Sequence, residues 1–343
     1  MATYYVDSGL ATGNHDGSSW TNAYSSLYDC LVARYVTPSL TEAMVINCRS
    51  TSGAADPDPI GIVIDGGWAN ATYGLTIQCA QGDRAVGKLD TTKYRIHQEL
   101  GWGRTFSVQD EYVTIIGLQC GNSSTTGRAA FYNTTGLCTY IGCIAFDQQD
   151  TDSSSCARGG FAAEADLTGI TYINCLALNC YAAGFAVLSD GTKLYNCVAV
   201  GNHGIGIQLG RAPLACNCYS GGNTGADIAP DAGPITTCAT EDGSAGTTIA
   251  YTASGSTGTR FTNITHGSED IHIAEAASSL INIATDCHTV FTTDIDGNDR
   301  GAGGAGTWDI GCHEYQAGTP SGHPAMARLR GIPGMNYTGR KGW

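Results

Sequence analysis

Ile141-Gly142-Cys143-Ile144-Ala145, Ile173-Asn174-Cys175-Leu176-Ala177, Tyr195-Asn196-Cys197-Val198-Ala199 and Cys216-Asn217-Cys218-Tyr219-Ser220 are four versions of one phrase. Earlier echoes are Ile46-Asn47-Cys48, Ile77-Gln78-Cys79 and Leu118-Gln119-Cys120. Cys120, Cys143, Cys175, Cys197 and Cys218 follow one another at a nearly even interval, with one longer step from Cys143 to Cys175. A period of roughly 22 residues is the signature of a solenoid in which each repeat forms one coil stacked on the last.

A second landmark recurs in the same period. Phe106, Phe131, Phe161, Phe185 and Ile205 stand at a nearly constant distance before Cys120, Cys143, Cys175, Cys197 and Cys218 in turn. Two short extended runs per repeat, separated by Gly, Asn, Asp and Ser, fit one turn of a parallel β-helix. Side chains alternate faces along a strand. Ile141-Cys143-Ala145, Ile173-Cys175-Ala177 and Tyr195-Cys197-Ala199 are therefore expected to share the interior face. The opposite face carries Asn174, Asn196 and Asn217, which can hydrogen-bond along the coil axis, and an apolar column of Ile144, Leu176, Val198 and Tyr219. An exposed apolar stripe marks an interface, so these four are candidates for contacts in a homotrimer. The alternative is that a turn rotates them inward or a loop covers them.

The expected fold class is all-β, a single-stranded right-handed parallel β-helix. Helical spacing occurs only near residues 22–35, through Ala23, Leu27, Cys30, Leu31 and Tyr35. This reads as an amphipathic cap over an open coil end, where a bare strand edge would invite aggregation. The chain divides into an N-terminal cap over 1–35, coils over 36–238, a C-terminal β segment and cap over 239–316, and a Gly/Pro-rich tail over 317–343. The tail carries Arg328, Arg330, Arg340 and Lys341, four of only 17 basic residues, and reads as a docking arm on an acidic body or as a disordered end.

A net charge of −14 disfavours nucleic acid as a partner. No run approaches the roughly 20 apolar residues needed to cross a membrane. The chain opens without a recognisable signal peptide. The expectation is removal of an export signal or departure by another route, such as within a virus particle. Most of the 15 cysteines are expected to be reduced core thiols, because at least seven fall at the repeat position. Paired zinc-ligand spacings are missing.

Three further segments carry a family resemblance. The chain opens Tyr4-Tyr5-Val6-Asp7, then Asp16-Gly17-Ser18-Ser19-Trp20. Near its end stand Asp294-Ile295-Asp296-Gly297-Asn298-Asp299-Arg300 and Asp309-Ile310-Gly311-Cys312-His313-Glu314. Over roughly residues 3–316 this resembles the right-handed parallel β-helix (pectin-lyase-like) superfamily that includes pectate lyases. Versions opening like Met1–Asp7 also resemble phage virion proteins. Cys312-His313 departs from the usual closing pattern, which has Ala followed by an aromatic residue.

What the resemblance implies about chemistry is a lyase in which a basic residue takes the proton beside a uronate carboxylate, often with calcium. The central cations Arg104, Arg128, Arg158, Lys193 and Arg211 form no lyase motif. A hydrolase needs paired carboxylates, and stacking of rungs could bring Asp152, Asp166 and Asp190 together. Asp is also common in turns. Asp294, Asp296 and Asp299 have the flavour of a calcium loop without its full spacing; no cofactor is expected beyond a structural calcium there.

The primary expectation is a non-enzymatic virion surface protein, a head decoration or fibre, acting in attachment or host-surface interaction. Its partners would be capsid or other virion proteins. The alternatives are a polysaccharide-degrading enzyme like a tailspike, or a bacterial surface protein that binds carbohydrate without turnover.

Overall fold

The computed structural model describes residues 1–34, 39–57, 60–99, 103–149, 158–210, 214–229, 234–244, 260–274, 279–301 and 308–316. Three parallel sheets of nine, seven and seven strands, here A, B and C, wrap one interior. One coil runs Thr139–Ile141 in sheet A, Ile144–Phe146 in sheet B and Gly159–Ala163 in sheet C. Successive coils stack in parallel register: Thr139 on Thr171 on Lys193 on Leu214, and Ile144 on Leu176 on Val198 on Tyr219. The chain is a right-handed parallel β-helix.

Gly142, Asn174, Asn196 and Asn217 sit at the corner between sheets A and B with φ of 59°, 51°, 51° and 57°. This left-handed conformation suits Gly and, among other residues, Asn. One such residue bends the chain and interrupts the alternation of faces. Tyr140, Tyr172 and Leu194 therefore point inward, while Ile141, Ile173 and Tyr195 point outward. This corrects the expected interior set: Cys143, Cys175 and Cys197, with Ala145, Ala177 and Ala199, are inside, but the residue two before each cysteine is not.

The interior is a set of ladders. Phe131 and Phe161 stack at 4.9 Å, Phe161 and Phe185 at 4.8 Å, and Tyr140 and Tyr172 at 5.1 Å. Ile207, not Ile205, continues the phenylalanine ladder, because it pairs with Phe185 while Ile205 pairs with Ala183. The cysteines also divide. Cys143, Cys175, Cys197 and Cys218 follow the corner residue, as does Cys238 after Thr237, whereas Cys120 pairs with Ala145 and Cys48 pairs with Cys79 at the end of a sheet A strand. The step from Cys120 to Cys143 therefore does not join equivalent positions. The cysteines among the described residues are free and buried.

At the N-terminus, Ala2–Asp7 forms the first strand of sheet A, so the coil begins inside the segment expected to be a cap. The helix is Leu27–Arg34 and buries Leu27, Cys30 and Leu31. Ser26 Oγ accepts the Asp29 N–H at 3.0 Å, the hydrogen bond of an N-cap. Ala23 is buried just before the helix, and Tyr35 lies outside the described residues. Asp56 fixes the helix by accepting Leu27 N–H at 2.9 Å and Tyr94 O–H at 2.5 Å.

At the outer column the alternative of a covering segment holds, and the exposed interface does not. Ile144, Leu176, Val198 and Tyr219 are fully buried. The described residues of 260–274, 279–301 and 308–316 lie along the flank of the coil and cover the column with Phe261, Ile271, Leu280, Trp308 and Ile310, making a second core. The four residues are thus the inner wall of an intrachain interface and are not available to a trimer. The C-terminal segment was expected to close the coil's end; its second core instead runs from Ala85 and Phe146 to Tyr219 and Ala239.

Candidate functional site

Sheet C carries an open cleft on its outer face. In Ile62–Ile64 and Phe106–Val108 the first and last residues enter the core, which turns Val63 and Ser107 outward. Together with Ile60, Gly103, Arg104, Gln109 and Arg128 they line an open cleft of about 200 Å³. The Arg104 guanidinium lies 3.5 Å from the centre of the Tyr132 ring, and the Tyr132 hydroxyl donates to Glu164. Arg104 Nε and Ser107 Oγ are buried without a hydrogen-bond partner among the described residues. Burial lowers the Arg104 pKa, and the nearby Arg128 charge adds to the effect.

The cleft therefore offers two guanidinium groups, a hydroxyl with unmet hydrogen bonds and an apolar strip at Ile60 and Val63. Guanidinium forks match carboxylates in shape and charge, and the apolar strip fits the C–H face of a sugar ring. A carboxylate pair for glycoside hydrolysis is not among the lining residues.

The catalytic candidates lie elsewhere. Asp166 is an exposed turn residue with φ of 65° after the strand Gly159–Ala163, and Asp190 holds the corresponding turn after Ala183–Val187. Both lie in turns that follow sheet C strands. Asp152 lies outside the described residues, as do Arg211 and the tail residues Arg328, Arg330, Arg340 and Lys341. His203 stacks on Tyr181 at 5.3 Å and contacts Asn179 Oδ1 at 3.2 Å, which makes it part of an outer ladder with Asp147.

The densest polar constellation is the seam between coil and flank. Asn196 Nδ2 donates to Asp309 O at 3.0 Å and Gly311 O at 2.9 Å. Asn217 Nδ2 donates to Thr285 O at 2.8 Å, and its Oδ1 accepts Thr285 N–H at 2.9 Å. Asn217 Nδ2 also reaches Asn196 Oδ1 at 3.2 Å, so the expected axial ladder exists at this step. Arg300, fully buried, pairs with Glu314 Oε2 at 3.1 Å and donates to Asn174 Oδ1 at 3.2 Å and Gly311 O at 2.8 Å. Burial and the neighbouring Asp309 raise Glu314 to about 7, against the pull of Arg300.

The three carboxylates expected to suit calcium diverge. Asp294 spends Oδ1 on the N–H groups of Asp296 and Asn298, and Oδ2 on Asn298 Nδ2 and Glu314 N–H. Asp299 is exposed. Asp296 turns to His272 Nε2 at 3.0 Å and approaches His313 Nε2 at 3.7 Å. Asp296, His272 and His313 bring one potential ligand atom each within 4.8 Å of one another.

The hydrogen bonds define what this trio is. His272 Nδ1 meets Asp270, so both of its ring nitrogens face carboxylates. Burial opposes charge there, but Asp270 and Asp296 outweigh it and push His272 up to about 10. His313 Nδ1 accepts the Ile273 N–H at 3.1 Å, which assigns its proton to Nε2. Burial, with the His272 charge beside it, lowers His313 to about 4. A ring whose Nδ1 lone pair is used and whose Nε2 carries a proton offers no lone pair to a metal. The trio is an ion-pair clamp holding the hairpin of Phe261–Asn263 and Asp270–Ile273 against the closing loop.

Sequence reasoning missed the cleft, the clamp and the role of Glu314. Asp294 braces the turn and Glu314 pairs with Arg300. One signal for the seam was present in Asn174, Asn196 and Asn217, since three stacked amides on an outer face need partners.

No protein-family model matches the sequence, and no curated protein matches it. Among solved structures, the chain is similar to the pectate lyase Pel9A, at 13% identity over 92% of this chain and 97% of that one, with a TM-score of 0.40. It is similar also to a rhamnogalacturonan lyase, at 13% identity over 70% of this chain and 67% of that one, with a TM-score of 0.40. The parallel register of the three sheets identifies the fold as a right-handed parallel β-helix.

Proposed function

We propose that this protein is a non-catalytic attachment protein that binds carboxylate-bearing polysaccharide in the cleft of sheet C. The carrying observation is the placement of Arg104 and Arg128 beside Ser107 and the apolar strip, on a chain whose net charge is −14. A cationic cleft on an acidic body selects anionic chains locally, while the remaining surface repels them. The sequence expectation of a virion surface supplies the setting for such attachment, and antibody labelling of particles tests that setting.

Calorimetric titration with oligogalacturonate, alginate and hyaluronate oligomers, beside neutral dextrin, tests the binding. The expected outcome is binding to at least one acidic oligomer, weakened by salt and reduced at least tenfold in Arg104→Ala and Arg128→Ala. Binding to dextrin alone, or binding unaffected by both substitutions, rejects the reading. The ultraviolet absorbance of unsaturated uronates is followed in the same samples. A rise that disappears in the two arginine variants would replace attachment with lyase activity.

A further inference from the structure

We propose that Cys216 and Cys287 form a disulfide-accepting pair, a covalent staple that small-molecule disulfides close between the coil and its flank. Their Sγ atoms stand 3.5 Å apart although the residues are 71 positions apart in sequence. Cys216 ends the sheet A strand Leu214–Cys216, and Cys287 belongs to the segment that covers the outer column.

Their setting differs from that of the interior thiols. Cys175, Cys197 and Cys218 donate to carbonyls of their own strands inside the first core. Cys216 and Cys287 instead face each other across the seam, with 4% and 7% of their surface exposed. The backbones on both sides are already pinned. Asn217 exchanges two hydrogen bonds with Thr285, and Thr237 Oγ1 meets Thr285 Oγ1 at 2.6 Å. Closing a gap of 3.5 Å to the roughly 2.05 Å of a disulfide is then a matter of side-chain torsions. The two thiols share a hydrogen bond that holds Cys287 below the usual thiol range, which favours Cys287 as the attacking thiolate.

The step balances with oxidised glutathione as oxidant. Cys287 thiolate attacks one glutathione sulfur, and the first glutathione leaves as a thiolate and takes up a proton. Cys216, having lost its proton to solvent, attacks the Cys287 sulfur of the mixed disulfide and releases the second glutathione. Two protein thiols are oxidised, and one glutathione disulfide is reduced to two thiols. The staple closes a long loop, so it restricts the unfolded chain and raises the thermal midpoint.

The test incubates the full-length protein with oxidised glutathione, blocks remaining thiols, and maps peptides without reduction. The expected result is a mass lower by two hydrogens, a cross-linked peptide pair containing Cys216 and Cys287, and the interior thiols recovered as free. The thermal midpoint should rise by several degrees on oxidation and fall back with reductant. Cys216→Ser and Cys287→Ala should each abolish both the cross-link and the shift. Cys287→Ala removes the partner from the flank side, so the test survives if Cys216→Ser fails to fold. A bridge between other cysteines, or both thiols remaining free after oxidation, overturns the proposal.

Discussion

The coil interior and the seam beside it are both buried, yet they are held together in opposite ways. Inside, rings and thiols repeat from rung to rung, and no single residue is unique: Phe131, Phe161 and Phe185 perform one task three times. Along the seam, almost every group is used once. Arg300 meets Glu314 and Asn174, Asn196 meets Asp309 and Gly311, and His272 meets Asp270 and Asp296. A repeated apolar ladder spreads its stability over many contacts. A seam of unlike polar groups concentrates it, because each unpaired buried partner carries a desolvation cost of about 1–3 kcal/mol.

Substitutions should separate the two regions. Phe161→Ala empties a ring-sized space in the first ladder and should cost about 4 kcal/mol. Denaturant unfolding should show it as a loss for the whole protein, with amide exchange accelerated throughout the coil. Arg300→Ala strands Glu314 and should cost about 3 kcal/mol. Here exchange should accelerate over 280–315 while Tyr140 and Tyr172 keep their protection. Arg300→Lys should not restore it, since one ammonium cannot serve acceptors on several sides.

Asn196→Ala loses two donors, about 1 kcal/mol, and places a Cβ in the left-handed region, about 1 kcal/mol more. Asn196→Gly should lose only the first part, so thermal midpoints of the two variants divide conformation from hydrogen bonding.

The effect of pH is more graded: Glu314, raised from 4.5 to about 7, loses its contribution as pH rises through 7, and the clamp adds two further limbs. His272 is raised from 6.5 to about 10, so its contribution is complete below pH 6.5 and is lost as pH rises through 10. His313 is lowered from 6.5 to about 4, so its contribution is complete above pH 6.5 and is lost as pH falls through 4. Flank exchange, after correction for intrinsic rates, should accelerate as pH rises from 7 toward 10. The alkaline limb should flatten in His272→Gln. Unchanged alkaline behaviour in that variant would remove the charged clamp from the account.

The difference between the regions also explains what could be read from sequence. Solenoid and parallel register follow from periodicity, which is a statistical property of many residues; the third strand of each coil was missed, since the sequence reads as two runs per repeat. The error at Ile141, Ile173 and Tyr195 arose because strict alternation was carried through a corner where one residue leaves the strand. The outer column was visible as apolar, but its covering segment has no period to announce it. Glu314 and His313 lie adjacent in sequence yet serve different partners, Arg300 and Ile273 N–H. Pairings of that kind depend on the docked pose, which no local pattern specifies. The cleft arises from residues around 60, 104 and 128 brought together only by coil stacking.

The left-handed corner carries one further consequence, for how such a chain tolerates insertions. Because Asn174, Asn196 and Asn217 end one alternation and start another, each strand takes its inside-outside phase from its own corner and not from the strand before. Segments inserted between sheets B and C can lengthen without inverting the rungs that follow. The step from Cys143 to Cys175, longer than that from Cys175 to Cys197, already illustrates this. One residue added between Tyr195 and Cys197 has no such freedom. Insertions recovered from a random library should therefore gather between sheets B and C and avoid the asparagine corner.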